Sequence, residues 1–232
     1  MKRNVFMIRY MLTRVLFFVL VLHIFFGLGA CTKKEAPRNF RIGIIGDSIT
    51  GVGTHEGFGM WARFNGMIFY PEFLEEIVEG DPRFEILTVN PQAGSRASSG
   101  PKRVRAMLSQ HEIDLLIFEL GANDLLKGGN PQKAAKAIVS SIEIALKKKI
   151  QVVLIGMQNA DYRQGKQFDL AAKALEGREG FYYLPNFFEG LDKDDFHYTG
   201  GVPHPTKAAQ EIIAAQLHDF LDQSYATMIL QE

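Results

Sequence analysis

The sequence predicts an α/β protein, a three-layer α/β/α sandwich built on a five-stranded parallel sheet, and three observations carry that expectation. Apolar or β-rich runs at Phe40 to Ile45, Phe84 to Val89, Leu115 to Leu120, Val152 to Ile155 and Phe181 to Leu184 are separated by stretches of helical pattern, the alternation that produces a parallel sheet with helices on both faces. The runs are continuous rather than alternating, as strands covered on both faces require. The chain has 232 residues, 47% hydrophobic and 22% charged, which suits one globular domain with a substantial core.

Taken in order, the chain opens with Lys2, Arg3, Arg9 and Arg14, no acidic residue before Glu35, and a largely apolar stretch from Val15 to Ala30. This is the architecture of an export signal, and it is short for a membrane span, which needs roughly 20 apolar residues. Residues 1–30 are therefore read as a cleaved leader, 31–39 as a tether and 40–225 as the folded domain. Loss of the leader removes four basic and no acidic residues, leaving 22 basic against 26 acidic, about −4; no nucleic-acid footprint remains. After the first strand, the Gly-rich and aromatic stretch Gly51 to Tyr70 reads as a helix with a buried face, or as a segment that caps a pocket or meets a membrane interface. Pro131 to Lys149 reads as a helix, with Pro in its first turn and Lys147, Lys148 and Lys149 at the end that the helix dipole makes negative. The last helix, about Thr206 to Asp222, places Ala209, Ile212, Ile213, Leu217, Phe220 and Leu221 on one face.

Three segments carry chemistry. Ser48 follows the first strand in Gly46-Asp47-Ser48, Asn123 follows the third in Gly121-Ala122-Asn123-Asp124, and His204 precedes the last helix in His204-Pro205. In an open parallel sheet ligands bind beyond the carboxyl ends of the strands, so these residues share a rim. A serine hydroxyl becomes a nucleophile when a histidine takes its proton, and the negative charge that attack builds on an ester carbonyl needs preorganised donors. The set reads as an ester-cleaving site.

Gly46-Asp47-Ser48-Ile49-Thr50, Asn90 to Arg96, Gly121-Ala122-Asn123-Asp124 and His204-Pro205 resemble, in order and spacing, the four blocks of the SGNH/GDSL hydrolases. The segment Glu119 to Asp124 looks like the bacterial acyl-thioesterase, lysophospholipase and arylesterase branch. The resemblance implies the flavodoxin-like sandwich, Ser48 as nucleophile and His204 as base, with the Ser48 and Gly94 N–H groups and the Asn123 amide as the oxyanion hole. It implies that Asp47 and Asp124 brace loops. One position departs from the pattern: Gly201 stands where the family's D-x-x-H-P carries the aspartate that orients the histidine. Losing that partner can cost roughly 10⁴ in rate. Three outcomes follow: a Ser-His dyad, a carboxylate supplied by Asp194 or Asp195, or a silenced site.

Leu28-Gly29-Ala30-Cys31 resembles a bacterial lipobox, and Cys31 is the only cysteine. Acylation there gives the residue a purpose, since a lone cysteine cannot form an internal disulfide. The expectation is a palmitate-type lipid anchor on the periplasmic face of a bacterial membrane, with Thr32 favouring the outer one. The expected activity is hydrolysis of lysophospholipid, acyl or aryl esters, or of thioesters. The rivals are a glycan O-deacetylase or O-acetyltransferase of the envelope, and a weakened acyl- or glycan-binding lipoprotein. No G-x-G-x-x-G, P-loop, G-x-S-x-G or H-E-x-x-H pattern occurs, so no cofactor or metal is implied.

Overall fold

The computed structural model describes residues 39–52, 67–126, 128–158, 165–199 and 202–231. The leader, Cys31, Gly201 and the apolar residues Phe58, Met60, Trp61 and Phe64 lie outside the described residues.

Five strands, β1 (Phe40–Gly46), β2 (Phe84–Pro91), β3 (Leu115–Glu119), β4 (Gln151–Ile155) and β5 (Phe181–Leu184), form one sheet in the order β2-β1-β3-β4-β5. Every pairing is parallel. The three inner strands are apolar on both sides and almost wholly buried: Phe40, Ile42, Ile44 and Ile45 of β1, Leu115 to Phe118 of β3, and Val152 to Ile155 of β4. Removing each such side chain from water contributes about 1.5–3 kcal/mol. The expectation of continuous burial does not extend to β2. As an edge strand it alternates, and it leaves Leu87 and Val89 partly exposed.

The helices divide into two layers. On one face α1 (Tyr70–Val78) packs on α6 (Lys207–Leu230); on the other α2 (Gly100–Gln110) and α5 (Lys166–Ala174) flank α4 (Pro131–Leu146). A one-turn helix, α3 (Ala122–Leu126), follows β3. α4 starts as its sequence dictates, with Pro131 in the first turn and the Asn130 side chain accepting from the Lys133 N–H. It ends at Leu146, earlier than Lys149, which takes a left-handed φ of 60°.

Two further features differ from expectation. α6 runs to Leu230, about two turns past Asp222; its buried face comprises Ala209, Ile213, Leu217, Leu221 and Met228, whereas Ile212 is exposed. Between β5 and α6 the chain forms an antiparallel hairpin, β6 (Phe196–Thr199) with β7 (Val202–Pro205), in which His197 lies directly across from His204.

Candidate active site

The sheet order reverses at β1 and β3: the chain leaves β1 for β2 on one side and returns to β3 on the other. A crevice forms beyond the carboxyl ends of such a pair, and both Ser48 and Asn123 sit there. Asp47 ties them together. Its Oδ1 accepts the Ile49 N–H at 3.1 Å, closing the turn that holds Ser48, and its Oδ2 accepts the Asn123 Nδ2–H at 2.7 Å. One amide hydrogen of Asn123 thus fixes the side chain and the second remains to serve another acceptor.

Beneath this turn lies a residue to which the sequence assigned no role. Glu119, the last residue of β3, is 0% exposed. Its Oε2 accepts the Asp47 N–H at 3.0 Å and the Thr50 hydroxyl at 2.6 Å, so one oxygen grips the turn on both sides of Ser48. The Thr50 hydroxyl also lies 3.2 Å from the Tyr70 hydroxyl. Burial, with the nearby Asp47 carboxylate adding to it, pushes the Glu119 carboxyl well above the usual range. Its Oε1 has no hydrogen-bond partner among the described residues, a position far less costly for a neutral acid than for an anion. Gly46 is what allows the approach: a Cβ there would overlap both Thr50 Oγ1 and Glu119 Oε2. The signal in the sequence was a lone acidic residue closing an apolar run.

The other loops are tied to the same turn. Gln92 N–H donates to the Gly46 carbonyl at 3.1 Å. Arg103, buried under the site, donates from Nη2 to the Gly46 carbonyl at 2.9 Å and to the Asn90 carbonyl, and its Nε reaches Asn90 Oδ1 at 3.0 Å. Asp124 Oδ2 accepts the Ala97 N–H at 2.7 Å, so Asp47 and Asp124 both brace loops. Gly94 follows β2 with φ +73°, left-handed backbone that glycine adopts without strain. On the α6 side, Gln210 Oε1 accepts the Tyr70 N–H at 2.9 Å and Nε2 donates to the Ile49 carbonyl at 3.2 Å.

His204 is carried in by the hairpin. Its Nε2 lies 3.0 Å from Ser48 Oγ, and its Nδ1 lies 3.0 Å from the carbonyl oxygen of Val202. A carbonyl can only accept, so Nδ1 bears the hydrogen and the Nε2 lone pair is left to accept from the serine hydroxyl. Val202-Pro203-His204-Pro205 also stiffens the backbone: Pro203 has a fixed φ, and a residue preceding proline is held extended. Burial lowers the pKa of His204 below the ordinary histidine value; the Val202 hydrogen bond works against that, and charge on His197 adds to it.

Of the three outcomes left open by Gly201, a carboxylate from Asp194 or Asp195 is not what His204 Nδ1 meets, since its partner is the Val202 carbonyl oxygen. Asp195 Oδ2 accepts the Asp192 N–H at 2.9 Å, capping the short turn Lys193–Asp195, and the exposed Asp194 donates its N–H to Asp192 Oδ1 at 2.8 Å. Asp192 and Asp195 cap this turn, the Asp194 side chain is exposed, and the acceptor that orients His204 is a backbone oxygen. Among the described residues no group of three or more His, Cys, Asp or Glu side chains could hold a metal ion, and no helix is long and apolar enough to cross a membrane.

A cleft of about 550 Å³ opens beside the turn, lined by Thr50, Gly51, Val52, Met67, Phe69 and Pro91 among others, a volume typical of sites for small ligands.

No family model matches the chain. It is 28% identical over 134 residues to the esterase TesA of Pseudomonas aeruginosa, covering 56% of this chain and 67% of that protein. It is 26% identical over 190 residues to an arylesterase of Vibrio mimicus, covering 79% of this chain and 89% of the relative. Among solved structures, the psychrotrophic esterase EstA of a Pseudoalteromonas species, inhibited by monoethylphosphonate, superposes with a TM-score of 0.61 at 21% identity, covering 79% of this chain and 97% of that one. The α/β/α sandwich read from the sequence is the fold of that solved esterase.

Proposed function

We propose that this chain is a serine esterase of the SGNH/GDSL type, cleaving carboxylic esters or thioesters through an acyl-Ser48 intermediate. The observation that carries the reading is the 3.0 Å contact between Ser48 Oγ and His204 Nε2, formed by residues 156 positions apart. It is supported by relatives named as an esterase and an arylesterase.

Ser48 Oγ attacks the carbonyl carbon while its proton passes to His204 Nε2. The oxyanion is met by the Ser48 and Gly94 N–H groups and the Asn123 amide hydrogen left over from Asp47. Collapse breaks the bond to the alcohol or thiol, which leaves with the proton from His204. Water, deprotonated by the same ring, then attacks the acyl carbon and releases the acid and Ser48. Throughout, the Val202 carbonyl holds the Nδ1 hydrogen. A carbonyl orients the ring without supplying the full negative charge of a carboxylate, so the imidazolium gains less stabilisation than in a complete triad. Ser48→Ala tests the reading: hydrolysis of an aryl acetate is expected to fall by at least about 10³, and activity at the parent rate would end it. A series of aryl esters from acetyl to long acyl chains sorts the substrates, since a preference for acetyl points to deacetylation.

We further propose that the protein is exported and held at the cell envelope by a lipid on Cys31. Export and acylation at Cys31 are supported by the basic start, the apolar stretch to Ala30 and Leu28-Gly29-Ala30-Cys31. Several acyl chains on one residue, at about 0.8 kcal/mol for each buried methylene, would hold the protein at a membrane. Metabolic labelling with palmitate, expected in the parent and lost in Cys31→Ser, checks it.

A further inference from the structure

His197 does no work in the mechanism above, yet it is placed against the base. It stands directly across the hairpin from His204, and the two rings stack with centroids 5.9 Å apart and planes at 24°. That separation lies within the range in which aromatic pairs attract. His204 has lost the usual means of holding its ring. A carboxylate grips Nδ1 with a charged hydrogen bond from another part of the chain, whereas the Val202 carbonyl belongs to a residue two positions away and makes a neutral bond. The ring therefore needs support on its face, and His197 supplies a flat one.

We propose that His197 is a positioning residue for His204, its ring serving as the wall that keeps the base aligned between Ser48 and the Val202 carbonyl. This rests on the esterase reading. The hairpin itself shows why the arrangement is durable: cross-strand partners share a face, and both prolines of β7 hold the backbone extended on either side of the base. A protonated His197 also opposes a second positive charge on His204, keeping the base neutral to lower pH. The other charged groups on neighbouring elements are engaged elsewhere or exposed. Asp47 holds Asn123 and Ile49, Asp192 and Asp195 cap their own turn, and Asp194 and Lys207 face solvent.

The test compares the parent, His197→Ala and His197→Phe in the rate at which a fluorophosphonate labels Ser48, measured from pH 5 to 9, with folding followed by circular dichroism. His197→Ala is expected to label about 3- to 10-fold more slowly at pH 8, the change that loss of an aromatic pair makes. His197→Phe keeps the ring and should come within about 2-fold of the parent, but with its acid limb at higher pH because the like charge is gone. His197→Gln replaces the alanine variant if that one does not fold. Parental labelling and an unchanged acid limb in the alanine variant would overturn the proposal, as would a folded phenylalanine variant as slow as alanine. A parent that does not label at all sinks the esterase reading, and this inference with it.

Discussion

Glu119 occupies the end of a central strand, and its stability ledger runs with pH in a definite direction. Its carboxyl is held well above the ordinary range by burial and by Asp47, so between its unfolded and folded pKa values the native state carries a proton that the unfolded chain lacks. Stability from this group is complete below the unfolded value and declines as pH rises towards the folded one. Glu119→Gln keeps an acceptor for Asp47 N–H and Thr50 and removes the titration, so its melting temperature relative to the parent should rise from pH 5 to pH 8. Glu119→Ala leaves both donors unmet and should cost about 2–5 kcal/mol in chemical denaturation. For His204 the sign is opposite: burial lowers its pKa, the neutral ring is the working base, and the acid limb of kcat/KM should fall below the ordinary histidine value near 6.5. Asp195→Ala, which removes only a turn cap, should leave kcat within about 2-fold and cost about 1 kcal/mol of stability.

The turn after β1 depends on the absence of a side chain. Gly46→Ala would drive a methyl group into Thr50 and Glu119, and a loss of about 3 kcal/mol or more is expected, read as a drop in the denaturant midpoint or in soluble yield. Elements of this kind were unequally legible in the sequence. β1, β3 and β4 announced themselves as apolar runs because both their faces are covered, and Ser48 and Asn123 followed directly from where those runs stop. The hairpin was hidden. Phe196 to Thr199 and Val202 to Pro205 are each four residues long, and the two prolines of the second lack the N–H groups that a strand ordinarily offers, so the segment gives no strand signal. The partner of His204 Nδ1 was hidden more deeply, because a motif advertises side chains and the acceptor here is the Val202 backbone.

Across the whole molecule, α6 joins the two rims of the sheet. Thr206 caps its start beside His204, and its far end is stitched to the beginnings of β4 and β5: Gln151 Nε2 donates to the Met228 carbonyl at 2.7 Å, and Gln231 Oε1 accepts from the Gly180 N–H at 2.8 Å and the Tyr182 hydroxyl at 3.1 Å. The sequence reading ended this helix at about Asp222, yet Tyr225 and Met228 continue its core-facing stripe at helical spacing, and docking through Gln151, Met228 and Gln231 holds the extra turns. A chain stopped after Asp222 would forfeit the burial of Met228 and these bonds, a loss of about 3–5 kcal/mol that thermal melting would register. β1 begins on the rim where α6 ends, and the strand from Phe40 to Gly46 spans roughly 20 Å before the nucleophile turn. Both Asn39 and Gln231 consequently lie opposite the crevice, so reporter fusions or surface immobilisation at either point would leave the mouth unobstructed.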